Sequence, residues 1–182
     1  AHLAVRFGYG TLVLQSGEDY GITTDWLSDV ITRIKRETGL AVTLSLGERE
    51  DRELVEWRRA GADRYLLRFE TSNRELYDRI HPPLPGRRSD RFQILRRLCE
   101  IGYEVGSGIM VGIPGQTWED LANDILLFRE YDIDMIGIGP YISHPETPLG
   151  RDGSRLQAAP QEQVSSTELM TCKVVALTRI TC

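Results

Sequence analysis

The feature that most limits what this chain can fold into is an alternation: short apolar, β-branched runs take turns with longer segments of helical period. Parallel strands need a crossover of a dozen or more residues, and a helix fills it, so the alternation marks a parallel α/β fold. Residues 11–15, 41–46, 64–69, 103–111 and 134–138 read as strands. Helices are expected over 24–38, with Thr24 or Asp25 as cap, and over 52–60 and 73–80. A further one is capped by Ser89 and runs to Ile101; another covers 117–131, where Thr117 and Asp120 form an approximate capping box. Residues 1–7 look like a helix end, and a last helix stops near Ile180. Residues 81–88 hold three prolines and must be loop, as is 139–163.

Five strand-helix units fit either an open sheet or a (β/α) barrel, and five do not close a barrel of eight. The strands themselves favour the barrel. A buried open-sheet strand is apolar on both faces, whereas here polar residues recur on one face. Thr43 and Ser45 alternate with Val42, Leu44 and Leu46, Arg68 and Glu70 alternate with Leu67 and Phe69, and Gln15 follows Leu14. Side chains two apart point the same way, so the pattern predicts a polar lumen around a polar ligand.

Composition excludes other classes. With 182 residues, 41% hydrophobic and 27% charged, the chain is ordinary globular material for one domain. No run approaches the length of a membrane span, and the first residues lack the pattern of a signal peptide. A net charge of -5 argues against a protein built to grip nucleic acid. Cys99, Cys172 and Cys182 are too few and scattered for a disulfide framework or zinc site, which points to a reducing, cytoplasmic setting. The opening at Ala1 rather than Met, and the end two residues after a helical run, suit an internal piece of something longer.

In parallel α/β folds ligands lie beyond the carboxyl ends of the strands. Here those ends are polar or glycine-rich: Gln15-Ser16-Gly17-Glu18, Ser45-Leu46-Gly47-Glu48, Arg68-Phe69-Glu70-Thr71, Met110-Val111-Gly112, and Tyr141 to His144. Turn chemistry alone accounts for one such end more easily than for five in register. Taken singly, the residues also carry plain readings. Arg68 with Glu70 could be a buried ion pair, Arg91 a solvated arginine, His144 a structural loop histidine and Cys99 an inert thiol. The GSGIMVGIPG stretch has neither the spacing of a dinucleotide fingerprint nor the Lys-Ser/Thr of a P-loop.

Five strings together resemble the radical S-adenosylmethionine maturases of FeFe-hydrogenases, the HydE type: TLVLQSGED, AVTLSLGE, GADRYLLRFET, GYEVGSGIMVGIPGQT and DMIGIGPYISHPETPLG. Biotin synthase and methylornithine synthase share a looser version of the pattern. The resemblance implies a TIM-barrel-like core of which residues 1–182 supply about strands two to six, without the N-terminal cluster-binding unit or the closing strands. It implies an enzyme that reductively cleaves S-adenosylmethionine at a 4Fe-4S cluster to a 5'-deoxyadenosyl radical, which acts on a small molecule in the lumen. A reductant such as ferredoxin or flavodoxin, and other hydrogenase maturation proteins, are the implied partners.

Residue by residue, Ser16, Gly17 and Glu18 resemble the turn that meets the methionine amino group. Glu70 resembles the strand-end glutamate on S-adenosylmethionine, Arg91 the arginine on its carboxylate, and Met110 in the 106–112 strand the lining of the adenine. Gln15, Thr43, Ser45 and Arg68 fall where the family receives substrate. The departures are definite. No Cys-x3-Cys-x2-Cys occurs, so the cluster ligands are expected upstream of Ala1 and this chain alone should be inactive; Phe69 replaces a family histidine, and residues 82–88 form an insertion. A related enzyme making methylornithine, biotin or another product, or a cluster-free binding or scaffold barrel, are the alternative readings.

Overall fold

The computed structural model describes residues 1–81, 84, 86, 88–152, 159 and 161–182. Five strands, β1 (Thr11–Gln15), β2 (Ala41–Ser45), β3 (Arg64–Leu66), β4 (Glu104–Val111) and β5 (Met135–Pro140), are hydrogen-bonded neighbours in chain order. The pairs from β1 to β4 run parallel. Among the described residues eight helices flank them in sequence: α1 (His2–Arg6), α2 (Thr24–Glu37), α3 (Asp51–Arg59), α4 (Arg74–Ile80), α5 (Arg91–Ile101), α6 (Trp118–Glu130), α7 (Pro148–Asp152) and α8 (Glu168–Thr181). The expected order of strand and helix is therefore present, with β1 at its expected bounds.

The chain packs as two compact units, one of Ala1–Leu67 with Asp90–Gly106, the other of Arg68–Ser89 with Ser107–Cys182. In the first, Val42, Leu44, Tyr65 and Val105 are fully buried on one face of the strands, with Ile31, Leu54, Trp57, Leu95 and Leu98 from the helices. Burying that apolar surface is the main stabilising contribution. The parallel register sets Val13 beside Thr43, Gln15 beside Ser45, and Thr43 beside Arg64. The opposite face is thus the polar one, and it extends to the Arg64–Glu104 ion pair, whose arginine also reaches Thr11 Oγ1 at 3.2 Å. In the second unit Phe69 and Phe128 meet at 5.3 Å between ring centroids, within a core that includes Ile109, Val111 and Val174.

Several boundaries differ from expectation for local reasons. Thr23, not Thr24 or Asp25, caps α2, its side chain accepting from the Trp26 N–H. Asp90, not Ser89, caps α5 and accepts from Gln93; Ser89 is buried instead and shares a 2.5 Å hydrogen bond with the Tyr77 hydroxyl. Strand β3 ends at Leu66 rather than Phe69: the regular ladder stops after the Leu67 N–H donates to Gly106 O, and the backbone rejoins β4 at Glu70, bridged to Ile109 with its φ of 66° in the left-handed region. Helix α7 forms inside the stretch expected to be loop. The expected loop at Pro82, Pro83 and Pro85, and most of the polar stretch from 153 to 160, lie outside the described residues. No helix among the described residues is long and apolar enough to cross a membrane.

Candidate functional site

In the first unit the site begins where β1 ends. Ser16 continues the ladder, its N–H donating to Ser45 O at 3.2 Å, and the chain then turns through Gly17 to Glu18. The Glu18 carboxylate accepts from the Glu48 N–H at 2.9 Å, the Tyr20 hydroxyl at 3.0 Å and Arg91 Nη2 at 3.3 Å. It lies flat on Gly47. A Cβ at that glycine would come within 2.4 Å of Glu18 Oε2, so only a residue without a side chain admits the carboxylate.

Arg91, the first residue of α5, is held by two carboxylates. Besides Glu18, its Nε donates to Glu48 Oε1 at 3.1 Å, and Glu48 is 2% exposed. Glu48 also accepts from the Asp90 N–H at 3.3 Å, which ties the ion pair to the start of the helix. The plain reading of Arg91 as a solvated arginine is therefore wrong: the side chain is only 18% exposed and carries a buried anion. Removing it would take the Arg91 cation from the buried Glu48, which is far costlier than losing a surface pair.

Arg49 is the cation that the sequence concealed. It sits in a run of charges, Glu48-Arg49-Glu50-Asp51, yet its side chain is 1% exposed. Its guanidinium donates to three backbone carbonyls: Leu46 O at 3.1 Å, Ile22 O at 3.5 Å and Asp19 O. It also lies over the rings of Tyr20 and Trp57 at 5.3 and 5.5 Å, and pairs with Glu53 at 3.5 Å. Arg49 thereby staples the loop after Glu18 to the end of β2. A planar fork suits this task where a point charge would not.

In the second unit the corresponding feature is the turn after β3. Arg68 Nε and Glu70 Oε1 are 3.1 Å apart, and Arg68 Nη2 donates to Ile109 O at 2.7 Å. The two residues do pair, through a turn rather than by strand alternation, but the pair is not the buried one expected, since the Arg68 side chain is 36% exposed. Glu70 is locked into the sheet on both sides of its backbone, its N–H donating to Gly108 O at 3.0 Å and its C=O accepting from Met110 N at 3.2 Å. A Cβ on Gly108 would lie 2.2 Å from Gly137 O, so glycine permits the close approach of β4 and β5 here. Holding Glu70 at positive φ costs about 1–2 kcal/mol, and such strain persists where the surroundings over-determine it.

Those surroundings converge on Asp124. This α6 carboxylate is fully buried and accepts from Ser72 N, from Ser72 Oγ at 2.6 Å and from Gln116 Nε2 at 3.1 Å, with Thr71 Oγ1 at 3.4 Å. Burial pushes its pKa up to about 6, against the opposing pull of the Ser72 and Gln116 hydrogen bonds. Beyond the ends of β4 and β5, Gly112, Pro114, Tyr141, Ser143, Gln163 and Ser166 line a cavity of about 460 Å³. The buried Tyr141 hydroxyl has no hydrogen-bond partner among the described residues. His144 acts within its own turn, its Nδ1 accepting from the Glu146 N–H at 3.2 Å.

The structure therefore brings Glu18 together with Arg91, Gln15 with Ser45, Thr43 with Arg64, and Arg68 and Glu70 with the β4 segment that holds Met110. Arg49 has no signal in its neighbours, whereas Asp124 has one, since it falls at helical spacing among Leu121, Ile125 and Phe128, all buried. Cys99, Cys172 and Cys182 are exposed, and no group of three or more His, Cys, Asp or Glu among the described residues suits a metal ion. The described residues do not offer the donor set of an iron-sulfur cluster.

Comparison with known proteins gives a consistent result. The chain is 48% identical over 180 residues to the FeFe hydrogenase maturase subunit HydE of Thermotoga maritima, covering 99% of this chain and 48% of that protein. It is 29% identical over 148 residues to the 3-methylornithine synthase of Methanosarcina acetivorans, covering 79% of this chain and 41% of that one. The chain spans about half the length of the curated relatives it matches. Its fold matches the crystal structure of methylornithine synthase (PylB) with a TM-score of 0.74 at 23% identity, over 96% of this chain and 49% of the other. The family model described as the radical SAM superfamily matches residues 1–144, and the chain belongs to that superfamily.

Proposed function

We propose that this chain is the middle of a radical S-adenosylmethionine barrel, about strands two to six, from an enzyme of the FeFe-hydrogenase maturase HydE type. The single observation that carries the site is the Glu18–Arg91–Glu48 arrangement at the strand ends, in which an anion and a cation stand 3.3 Å apart. An amino-acid head group offers the complementary pair of charges. Arg91 would fork the carboxylate of S-adenosylmethionine, and Glu18, with the backbone of Ser16 and Gly17, would receive its ammonium. Glu70 would accept from ribose hydroxyls or ammonium, with Met110 along the adenine. In the second unit, the cavity with the orphaned Tyr141 hydroxyl supports contact with a polar ligand.

When bound, S-adenosylmethionine supplies the radical chemistry of the family. This chain's residues bind and orient it; the cluster ligands are proposed to lie in sequence outside this chain. Gln15, Thr43, Ser45 and Arg68 are proposed to face a small-molecule substrate. A one-electron reductant of the ferredoxin or flavodoxin class and other hydrogenase maturation proteins are the proposed partners, in the cytoplasm.

The test is calorimetric titration of S-adenosylmethionine into the full-length, cluster-loaded protein and its variants. Glu70→Gln and Arg91→Lys are expected to weaken binding at least tenfold while the cluster's visible absorption is unchanged. Wild-type affinity in both variants would remove the site assignment. Stoichiometric cluster formation by residues 1–182 alone would contradict the placement of its ligands elsewhere.

A further inference from the structure

We propose that Asp124 is a positioning residue for the ligand-facing ends of β3 and β4, and that it works by fixing which way round the buried amide of Gln116 lies. The proposal rests on the reading that Glu70 and Met110 meet S-adenosylmethionine.

Every proton in this network has one consistent place. Asp124 Oδ1 is occupied by the Ser72 N–H and hydroxyl, so it can only accept. Its Oδ2 meets the Gln116 side chain at 3.1 Å and, as a carboxylate, also accepts. Gln116 must therefore present its NH2 group to Asp124, and the second proton of that group goes to Met110 O at 3.1 Å. The amide oxygen is left facing the other way, where it accepts from Gly112 N–H at 2.7 Å. Turned over, the amide would set its oxygen against both Oδ2 and Met110 O, and its NH2 against the Gly112 N–H. Gln116 and Asp124 are both fully buried, so water has no room to repair such a mismatch.

The consequence reaches both strand ends. Ser72 lies two residues beyond Glu70, so the bonds to Oδ1 pin the turn that keeps Glu70 at positive φ. The Gln116 amide pins Met110 and Gly112, at the end of the glycine-rich strand. One helix carboxylate thus sets two backbone segments to which the proposed ligand contacts belong.

The informative variant is Asp124→Asn, which keeps shape but turns one acceptor into a donor. Its oxygen stays on Ser72 and its NH2 would meet the NH2 of Gln116, so the Gln116 amide turns over to offer its oxygen to residue 124 and the Gly112 N–H loses its acceptor. In the full-length protein, amide exchange at Gly112 is expected to speed up at least tenfold, and S-adenosylmethionine affinity to fall at least tenfold. The double variant Asp124→Asn with Gln116→Glu restores an acceptor to Gly112 and a donor-acceptor match at residue 124, at the cost of the Met110 bond. It is expected to recover most of both losses, which a residue that merely fills space would not show.

Wild-type Gly112 exchange in Asp124→Asn, or a double variant no better than the single one, would overturn the proposal. If Asp124→Asn fails to fold, the double variant decides: folded with Gly112 protected it supports the proposal, and unfolded it refutes it. Glu70→Gln run in parallel separates the two readings. Unchanged ligand affinity there would remove the ligand assignment while Gly112 exchange still reports on Asp124.

Discussion

Asp124 should make the stability of this protein fall as pH rises, the reverse of what most native carboxylates do. Its pKa is pushed up from the ordinary value of 3.8 to about 6 by burial. Between those values the folded state holds a proton that the unfolded chain has released. The stabilisation is complete below about pH 3.8 and is lost as pH passes through about 6. A shift of that size, at about 1.4 kcal/mol per pH unit, corresponds to about 3 kcal/mol. Other carboxylates also titrate, so the clean quantity is the difference between wild type and Asp124→Asn. Urea unfolding followed by far-UV circular dichroism at pH 4, 5, 6 and 7.5 would give it. The variant is expected to gain about 2.4 kcal/mol on the wild type from pH 4 to pH 7.5, with most of the change between pH 4 and 6. Parallel stability curves would refute the reasoning, because they would mean that the carboxylate is no harder to ionise inside than outside. A variant more stable at neutral pH yet weaker in binding would show that the charge is kept for function.

Three further outcomes are expected. Arg49→Met should cost about 3 kcal/mol in urea unfolding, from a dry Leu46 carbonyl and two lost cation–π contacts, while the half-exposed Asp19 and Ile22 carbonyls turn to water. Gly47→Ala should cost about 1–2 kcal/mol for its positive φ of 72° and also displace the Glu18 carboxylate, so that S-adenosylmethionine binding is lost along with stability. Phe69→His, which introduces the residue of the family pattern, should destabilise by about 2 kcal/mol or more in thermal unfolding, because Phe69 is fully buried against Phe128 and the polar imidazole must be desolvated there.

Periodicity sufficed where a segment's fate is decided locally. The β1 run is apolar and short, and the Thr117 to Asp120 capping box forms as its spacing requires. It failed where a distant group settled a local tie. Ser89 and Asp90 are equally good caps in sequence, but the Tyr77 hydroxyl engages Ser89 and leaves the role to Asp90. Arg68 and Glu70 alternate like strand residues, yet the backbone bends at Glu70 because Asp124, far along the chain, holds the next residues. Arg91 was legible only through resemblance, since nothing in its neighbours announces that Glu18 and Glu48 enclose it. Arg49 was not legible at all, because a charge between charges reads as surface until the three carbonyls it serves are seen.

The Glu18–Arg91 pair also bears on selectivity. Binding a zwitterion between these groups is an exchange reaction: one internal ion pair opens and two external ones form, with no change in net charge. A simple amine or a simple carboxylate would open the same pair and close only one, so the Glu18–Arg91 contact is lost without a full exchange. The resting pair therefore selects against incomplete ligands, and because an amino-acid head group brings both charges, this contact should add little ionic-strength dependence to binding.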